Sequence, residues 1–406
     1  MATVTKNSLY DDLTEWLHRR SIQGWDAETL LNELVVKLND AGLNLIRVHI
    51  GMPMLHPLFV AGSYSWSRSH GIIAETYDRG LEDTDAWLRS PVRETFISGQ
   101  EEARYQIAGK DKNRFDIFAN FAAEGATDYI IQLTGFDNRK ASVIGQEGTI
   151  FSWTTNAPDG FDDNAVELLR RLRLPLSAEL KGLSQRRLVG DILRAYLGNY
   201  STDRVLSGQI QRGDGDLIDA VILFCDLRQS SKLAEHYGFQ GFLAVLNDYY
   251  EITAGAVIAG GGEVLRYIGD ASLAIFPFER YEHDVDACNA ALSVAHDAIA
   301  RAELINKDRI ERGEPALEFG IGLHAGKVMY GNIGTKERIE FTVIGSAANE
   351  AARIEAKCKD LSETILVSDA FAAIRPGDWH SHGTFELRNI GHPIEILSPG
   401  KGLKPS

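Results

Sequence analysis

Cysteine is nearly absent: three residues in 406, Cys225, Cys288 and Cys358, with no CxxC pair among them. That speaks against a disulfide framework and against a paired-cysteine zinc site, and it fits a reducing compartment. Basic charge is also short, with 42 Lys and Arg against 57 Asp and Glu and a net charge of −15. An acidic surface repels phosphate backbones and anionic lipid, which argues against a general nucleic-acid or membrane-surface binder. A local basic pocket for a single nucleotide stays open. No apolar run approaches the ~20 residues that span a bilayer, and the first residues lack the basic, apolar, small-residue order of a signal peptide. The expectation is a soluble, cytoplasmic protein. Hydrophobic residues at 44% and charged residues at 24% are globular proportions, so wholesale disorder is excluded, and the length predicts two or three domains.

The first half reads as a small α+β domain over residues 1–174. Two amphipathic helices, about Ser8 to Arg20 and Asp26 to Asn39, precede strand-like segments at Leu45–Ile50, Leu58–Trp66 and Gly71–Tyr77. Two more, Asp128–Thr134 and Ser142–Trp153, are rich in β-branched and aromatic residues. Phe161-Asp162-Asp163 then opens a helix with an Asp cap. The closing "GTIFSW … GFDDNAVELLRRL" resembles the last strand and helix of a GAF domain, which implies a sensor. A purely structural or dimerising domain is the alternative. His49, His56 and His70 are expected to be satisfied structural residues, and Tyr64 and Trp66 core or pocket lining. Residues 175–215 read as a helical connector. Pro175 ends one helical stretch, and Leu183, Leu188, Val189, Ile192, Leu193 and Leu197 mark another. It is either a simple linker or a signal-transmitting helix that pairs with its twin in a dimer.

The chemistry lies in residues 216–406. Ala220–Phe224 is a continuous apolar run that reads as a buried strand, and it ends in Cys225-Asp226-Leu227-Arg228. A helix over about Phe239–Ala259 stops at three glycines. Two strands follow, Glu263–Ile268 and Ala271–Phe276, joined by the tight turn Gly269-Asp270. If those strands neighbour the first, Asp226 and Asp270 converge. Paired carboxylates on adjacent strand ends hold divalent cations that in turn hold a triphosphate, and oxygen ligands favour Mg²⁺ or Mn²⁺. Beyond a long helix, His283–Arg312, a strand Leu317–Leu323 passes through His324-Ala325-Gly326 to a second segment, Val328–Gly331. Glu340–Ile344 is another strand, and Gly345-Ser346 starts a helix. On it Asn349 and Arg353 are four apart and share a face. An Arg so placed can meet phosphate charge that develops during a reaction. The plain alternative is a solvated helix face.

Four motifs then coincide: "AVILFCDLRQSSKLAE", "GGEVLRYIGDASLAIFP", "FGIGLHAGKVMYGNIGT" and "IEFTVIGSAANEAARIEA". The segment from Asp216 to Leu397 resembles the class III nucleotidyl cyclase catalytic domain. The resemblance implies an α+β fold with a ferredoxin-like palm, a βααββαβ core, that homodimerises with sites at the subunit interface. It implies two metal ions per site on Asp226, Asp270 and the Leu227 carbonyl. Asn349 would orient the ribose and Arg353 would stabilise the α-phosphate transition state. Backbone N–H groups of Leu227, Arg228, Gln229, Ser230 and Ser231 would face the β and γ phosphates. The adenine-reading Lys of many members corresponds to Arg266, its partner to Thr342, and a late phosphate-binding Lys to Arg388. Arg for Lys at 266 is a departure, since the guanidinium fork is bulkier, as is Gln229-Ser230-Ser231 where a Gly-Phe-Thr-like run is common. The expected activity is ATP to 3′,5′-cyclic AMP and pyrophosphate. A guanylate cyclase and a non-catalytic nucleotide-binding scaffold are the rivals.

Overall fold

The computed structural model describes residues 6–24, 26–53, 59–78, 84–136 and 148–400. Two compact units, Met1–Ala195 and Tyr196–Ser406, divide the chain. The connector expected over 175–215 is therefore shared between them.

The first unit begins with α1 (Lys6–Gln23) and α2 (Ala27–Asp40), followed by β1 (Leu45–Pro53), β2 (Phe59–Ser67) and β3 (Gly71–Asp78). Short helices α3 (Asp85–Leu88) and α4 (Pro91–Ile97) precede β4 (Glu102–Tyr105), and α5 (Ile117–Ala123) precedes β5 (Asp128–Gly135) and β6 (Gly148–Thr155). The long α6 (Asp163–Leu197) closes the unit. Asp26 caps α2 through the Thr29 N–H at 2.7 Å, and Asp162 takes the Ala165 N–H at 2.7 Å, as its place before the helix led one to expect. The strands form one antiparallel sheet in the order β3-β2-β1-β6-β5-β4. Leucines of α1, α2 and α6 cover one face, over Val48, Ile50, Phe151 and Trp153. Phe118 and Phe121 of α5 cover Tyr105, Tyr129 and Ile131 on the other. Tyr64 is core, and Trp66 packs at its edge. His49 lies 2.9 Å from Ser65 Oγ, and burial pulls its pKa down to about 4, so it is a neutral structural group. His56, Leu58 and the start of the strand expected at Ser142 lie outside the described residues.

The break expected at Pro175 does not occur. One helix runs from Asp163 to Leu197 through the proline. Leu169, Leu172, Leu176 and Leu180 recur on one buried stripe across that position. Four leucines, each worth about 2 kcal/mol when buried, outweigh the roughly 3 kcal/mol that an interior proline costs.

The second unit starts with α7 (Asn199–Leu206) and β7 (Gly215–Leu227). Next come α8 (Ser230–Ala259), β8 (Glu263–Ile268), β9 (Ala271–Pro277), α9 (Asp284–Glu311), β10 (Phe319–Gly334) and β11 (Ile339–Ile344). It ends with α10 (Ser346–Leu361), β12 (Ile365–Ser368), α11 (Asp369–Ile374), β13 (Trp379–Phe385) and β14 (Ile394–Pro399). Gly238, at φ 66°, breaks α8 into two helical segments, a conformation that costs glycine little. The sheet order is β13-β14-β12-β10-β7-β9-β8, with β11 paired to β10. The long β10 replaces the two shorter segments expected around His324. It pairs with β7 without interruption from Phe319 opposite Leu227 to Gly331 opposite Gly215, so the ladder carries the backbone through Gly326. Helices α8, α9 and α11 bury one face of the sheet. Ala347 and Ala351 of α10, with β11, bury the other.

Candidate active site

Strand pairing brings Asp226 and Asp270 together. Asp226 stands at the end of β7 opposite Ala271, the first residue of β9, and Asp270 occupies the β8–β9 turn. The Leu227 N–H donates to the Asp270 carbonyl at 3.2 Å, which ties the turn to the strand end. Gly269 takes φ 66° there, and the Tyr250 hydroxyl donates to its carbonyl at 2.6 Å. Burial and then the charge of Asp270 push the Asp226 pKa up, against the pull of Arg228. Asp226 Oδ1 is out of reach of solvent and has no hydrogen-bond partner among the described residues. An orphaned carboxylate oxygen with a second carboxylate raising its pKa is the environment a divalent cation relieves. No group of three or more metal-binding side chains occurs among the described residues. The pair, with a backbone carbonyl such as that of Leu227, is therefore an open oxygen site whose remaining positions suit phosphate and water.

The loop after Asp226 corrects part of the expected phosphate cradle. The N–H groups of Leu227 and Arg228 are already committed, to the carbonyls of Asp270 and of Glu318, the latter at 2.7 Å. Sheet and turn closure use them up. Gln229, Ser230 and Ser231, at the start of α8, keep theirs outside the helical ladder. Gln229 holds a left-handed φ of 54°, uncommon for a residue with a side chain. Nor does the Arg228 side chain point to an open anion site. It pairs with buried Glu355 of α10, Nη2 to Oε1 at 2.9 Å. A Cβ on Gly320 would fall 2.1 Å from that guanidinium, so a side chain there would displace Arg228 from this position. Glu355 has its pKa raised to about 7, by burial first, offset by Arg228 and reinforced by Asp226. Beside this loop a cavity of about 700 Å³ is lined by Arg228, Gln229, Lys232, Glu318 and Lys359 among others.

Arg266 and Thr342 fall on strands without a shared ladder, β8 and β11, yet these strands meet. The Arg266 guanidinium pairs with Glu340, two residues from Thr342 on the same strand face, at 2.6 Å. Arg266 Nε is buried with no partner among the described residues, and Thr342 is buried. Glu340 is the residue that sequence reasoning missed here. Its alternation with Thr342 was the available signal. Asn349 and Arg353 are exposed on α10, with no polar partner among the described residues. Arg388 is also exposed, in the β13–β14 connection at the far edge of the sheet. One chain thus holds an acidic pair, Arg266 paired to Glu340 near buried Thr342, and an exposed Asn–Arg pair, and no described contact joins the three.

Residues 216–392 match the family model described as the adenylate and guanylate cyclase catalytic domain. An uncharacterised protein of Mycobacterium tuberculosis is 29% identical over 236 residues, which are 57% of this chain and 40% of that protein. A Mycobacterium bovis protein, also uncharacterised, is 29% identical over 236 residues. The chain spans about 40% of the length of these relatives. Among solved structures, the adenylyl cyclase CyaB from P. aeruginosa aligns with TM-score 0.43 at 21% identity, covering 47% of this chain and all of that one. The guanylyl cyclase Cya2 aligns with TM-score 0.41 at 26% identity, covering 47% and 98%. On the motifs and the family match, residues 216–392 are a domain of the class III adenylate and guanylate cyclase catalytic-domain family.

Proposed function

We propose that the chain is an adenylate cyclase that converts ATP to 3′,5′-cyclic AMP and pyrophosphate. The observation that carries this reading is the orphaned oxygen of Asp226, a half-buried carboxylate that feels the charge of Asp270. Asp226, Asp270 and the Leu227 carbonyl would hold two Mg²⁺ or Mn²⁺ ions. Bound there, such ions supply charge neutralisation on the triphosphate and a more acidic 3′-hydroxyl. The chain's own residues do the rest. Arg266 and Thr342 read the base, and Asn349 orients the ribose. Gln229, Ser230 and Ser231 offer backbone N–H groups to the outer phosphates, with Arg388 as a further phosphate cation. Arg353 meets the charge that grows on the α-phosphate as the 3′-oxygen attacks in line. The new bond is 3′-O to α-phosphorus, the broken one joins that phosphorus to the leaving pyrophosphate, and the hydroxyl proton leaves with solvent. Exposure of Asn349 and Arg353 supports a homodimer in which a second copy supplies them to the first copy's acidic pair. The N-terminal unit, read as GAF-like, would act through residues 175–215 as regulatory input in a cytoplasmic enzyme. No helix among the described residues is long and apolar enough to cross a membrane.

Glu340 favours a second reading. A carboxylate beside Arg266 accepts from guanine N1–H and its amino group while the guanidinium donates to O6. GTP is then the substrate of the same site. The deciding experiment gives the purified chain ATP or GTP with Mg²⁺ or Mn²⁺ and resolves products by chromatography. Cyclic AMP in excess supports the first reading and cyclic GMP in excess the second. Equal activity of wild type and Asp226→Ala would sink both.

A further inference from the structure

A buried polar chain runs beneath the helix that bears Asn349 and Arg353. Glu350, beside Asn349 on α10, is 4% exposed. Its Oε2 lies 3.1 Å from Nε2 of His324 on β10. The other ring nitrogen of His324, Nδ1, lies 2.9 Å from Ser368 Oγ. Ser368 is fully buried, and its Oγ also accepts the Phe371 N–H at the start of α11, at 3.2 Å. A carboxylate only accepts, so the network assigns the ring proton to Nε2, aimed at Glu350, and leaves Nδ1 of the neutral ring to accept from the Ser368 hydroxyl. Burial holds His324 below its usual range, aided by His392 and opposed by Glu350 and Asp369, so the ring is neutral near pH 7. His392 is the other group that faces Glu350, 3.9 Å away and largely exposed.

The backbone is shaped around this chain. A Cβ on Gly326 would lie 2.9 Å from His324 Nε2 and 2.9 Å from the Ala347 Cβ. Only glycine lets β10 and the first turn of α10 approach so closely. Ala347, Ala351 and Ile354 already bury the underside of α10, so an apolar residue at 350 would close the core as well. A buried carboxylate is costly unless paired. What it adds is direction: small apolar contacts tolerate sliding and rotation, whereas a hydrogen-bonded pair fixes both. A side chain on a helix sits about 6 Å from the axis, so a rotation of about 10° moves it by about 1 Å. A displacement of that size can cost about 100-fold in rate.

We propose that His324, through Glu350, sets the rotation of α10 and hence the reach of Asn349 and Arg353, making it a positioning residue for the cyclisation. This deepens the function proposed above and rests on it. The test uses the full chain with His324→Ala, His324→Gln, Glu350→Gln, Asn349→Ala and Arg353→Ala. His324→Ala should lower kcat about 30- to 100-fold while KM for the nucleotide stays within about twofold. His324→Gln, whose amide N–H can still reach Glu350, should recover most of that loss. Hydrogen exchange followed by mass spectrometry gives a readout independent of turnover. Amides of residues 346–353 should open faster in His324→Ala, while those of β8 and β9 keep wild-type rates. Where His324→Ala does not fold, the exchange rates and kcat of His324→Gln and Glu350→Gln decide. Wild-type kcat and wild-type α10 exchange in the folded variants overturn the proposal. If Asn349→Ala and Arg353→Ala retain full turnover, the functional reading itself has failed. If both abolish turnover while His324→Ala leaves kcat and exchange unchanged, only the positioning role has.

Discussion

Two aspartates at strand ends, one in each unit, meet opposite fates. Asp128 at the start of β5 is almost wholly buried, and its carboxylate is saturated. Oδ2 receives Arg104 Nε at 2.9 Å, Arg104 Nη2 at 2.6 Å and the Phe161 N–H at 3.0 Å, and Oδ1 receives the Tyr129 N–H at 3.0 Å. Asp226 at the end of β7 has one oxygen with no donor among the described residues, and the charge of a second carboxylate acts on it. A saturated buried acid holds a fold together, and a starved one is kept for something the chain does not itself supply.

The sharpest way to break that comparison is to remove each acid in turn. Asp226→Ala or Asp270→Ala should lower turnover by about 1,000-fold, the equivalent of some 4 kcal/mol of lost charge stabilisation. The melting midpoint should hold or rise, because like-charge repulsion and desolvation are relieved. Chromatographic assay and a thermal melt check both halves. Mixing folded Asp226→Ala with folded Arg353→Ala should restore roughly a quarter of wild-type activity, since half of the random dimers are mixed and each has one intact site. No recovery would place both residues in one chain's site. Asp128→Ala should do the reverse. Loss of a buried pair partner costs about 3 to 5 kcal/mol, read by denaturant titration, while the variant that stays folded turns over as wild type does.

Glu355 lies between these extremes, buried with Arg228 as its one ion-pair partner among the described residues. Its folded pKa of about 7 exceeds the ordinary value of 4.5, so the folded state holds the proton more tightly than the unfolded one. That contribution to stability is full below about pH 4.5 and is lost as pH rises to about 7. Glu355→Gln should flatten this fall, worth about 3 kcal/mol, in unfolding titrations of the metal-free protein across that window. The smallest effect belongs to Glu340, a partly exposed acid paired with Arg266. Glu340→Ala should shift the ATP-to-GTP ratio of kcat/KM about tenfold toward ATP, about 1.4 kcal/mol. A ratio that does not move removes the guanine reading.

Much of the second unit was legible because its signals are local. The apolar run before Asp226, the Gly269-Asp270 turn and the spacing of Asn349 and Arg353 each place a residue through a pattern a few residues long. Continuity was harder to read. Pro175 and Gly326 are local breakers, and distant packing overrode both: a leucine stripe in α6 and an unbroken ladder with β7 in β10. Partners were harder still. Arg228 and Glu355 are 127 residues apart, and His324 and Glu350 sit on different elements. No local pattern links such pairs.

By itself the sequence determined which groups the chain carries: carboxylates at a strand end and a hairpin turn, a helix with Asn and Arg four residues apart, and an acidic composition with few cysteines. These follow from residue type and short-range periodicity. Only the tertiary structure decided which acids are starved and which are satisfied. It showed that the Leu227 and Arg228 N–H groups are already in use, that Arg228 turns to Glu355, and that Glu340 stands beside Arg266. The physical reason is that desolvation and hydrogen-bond satisfaction depend on everything packed around a group, and those neighbours come from far along the chain.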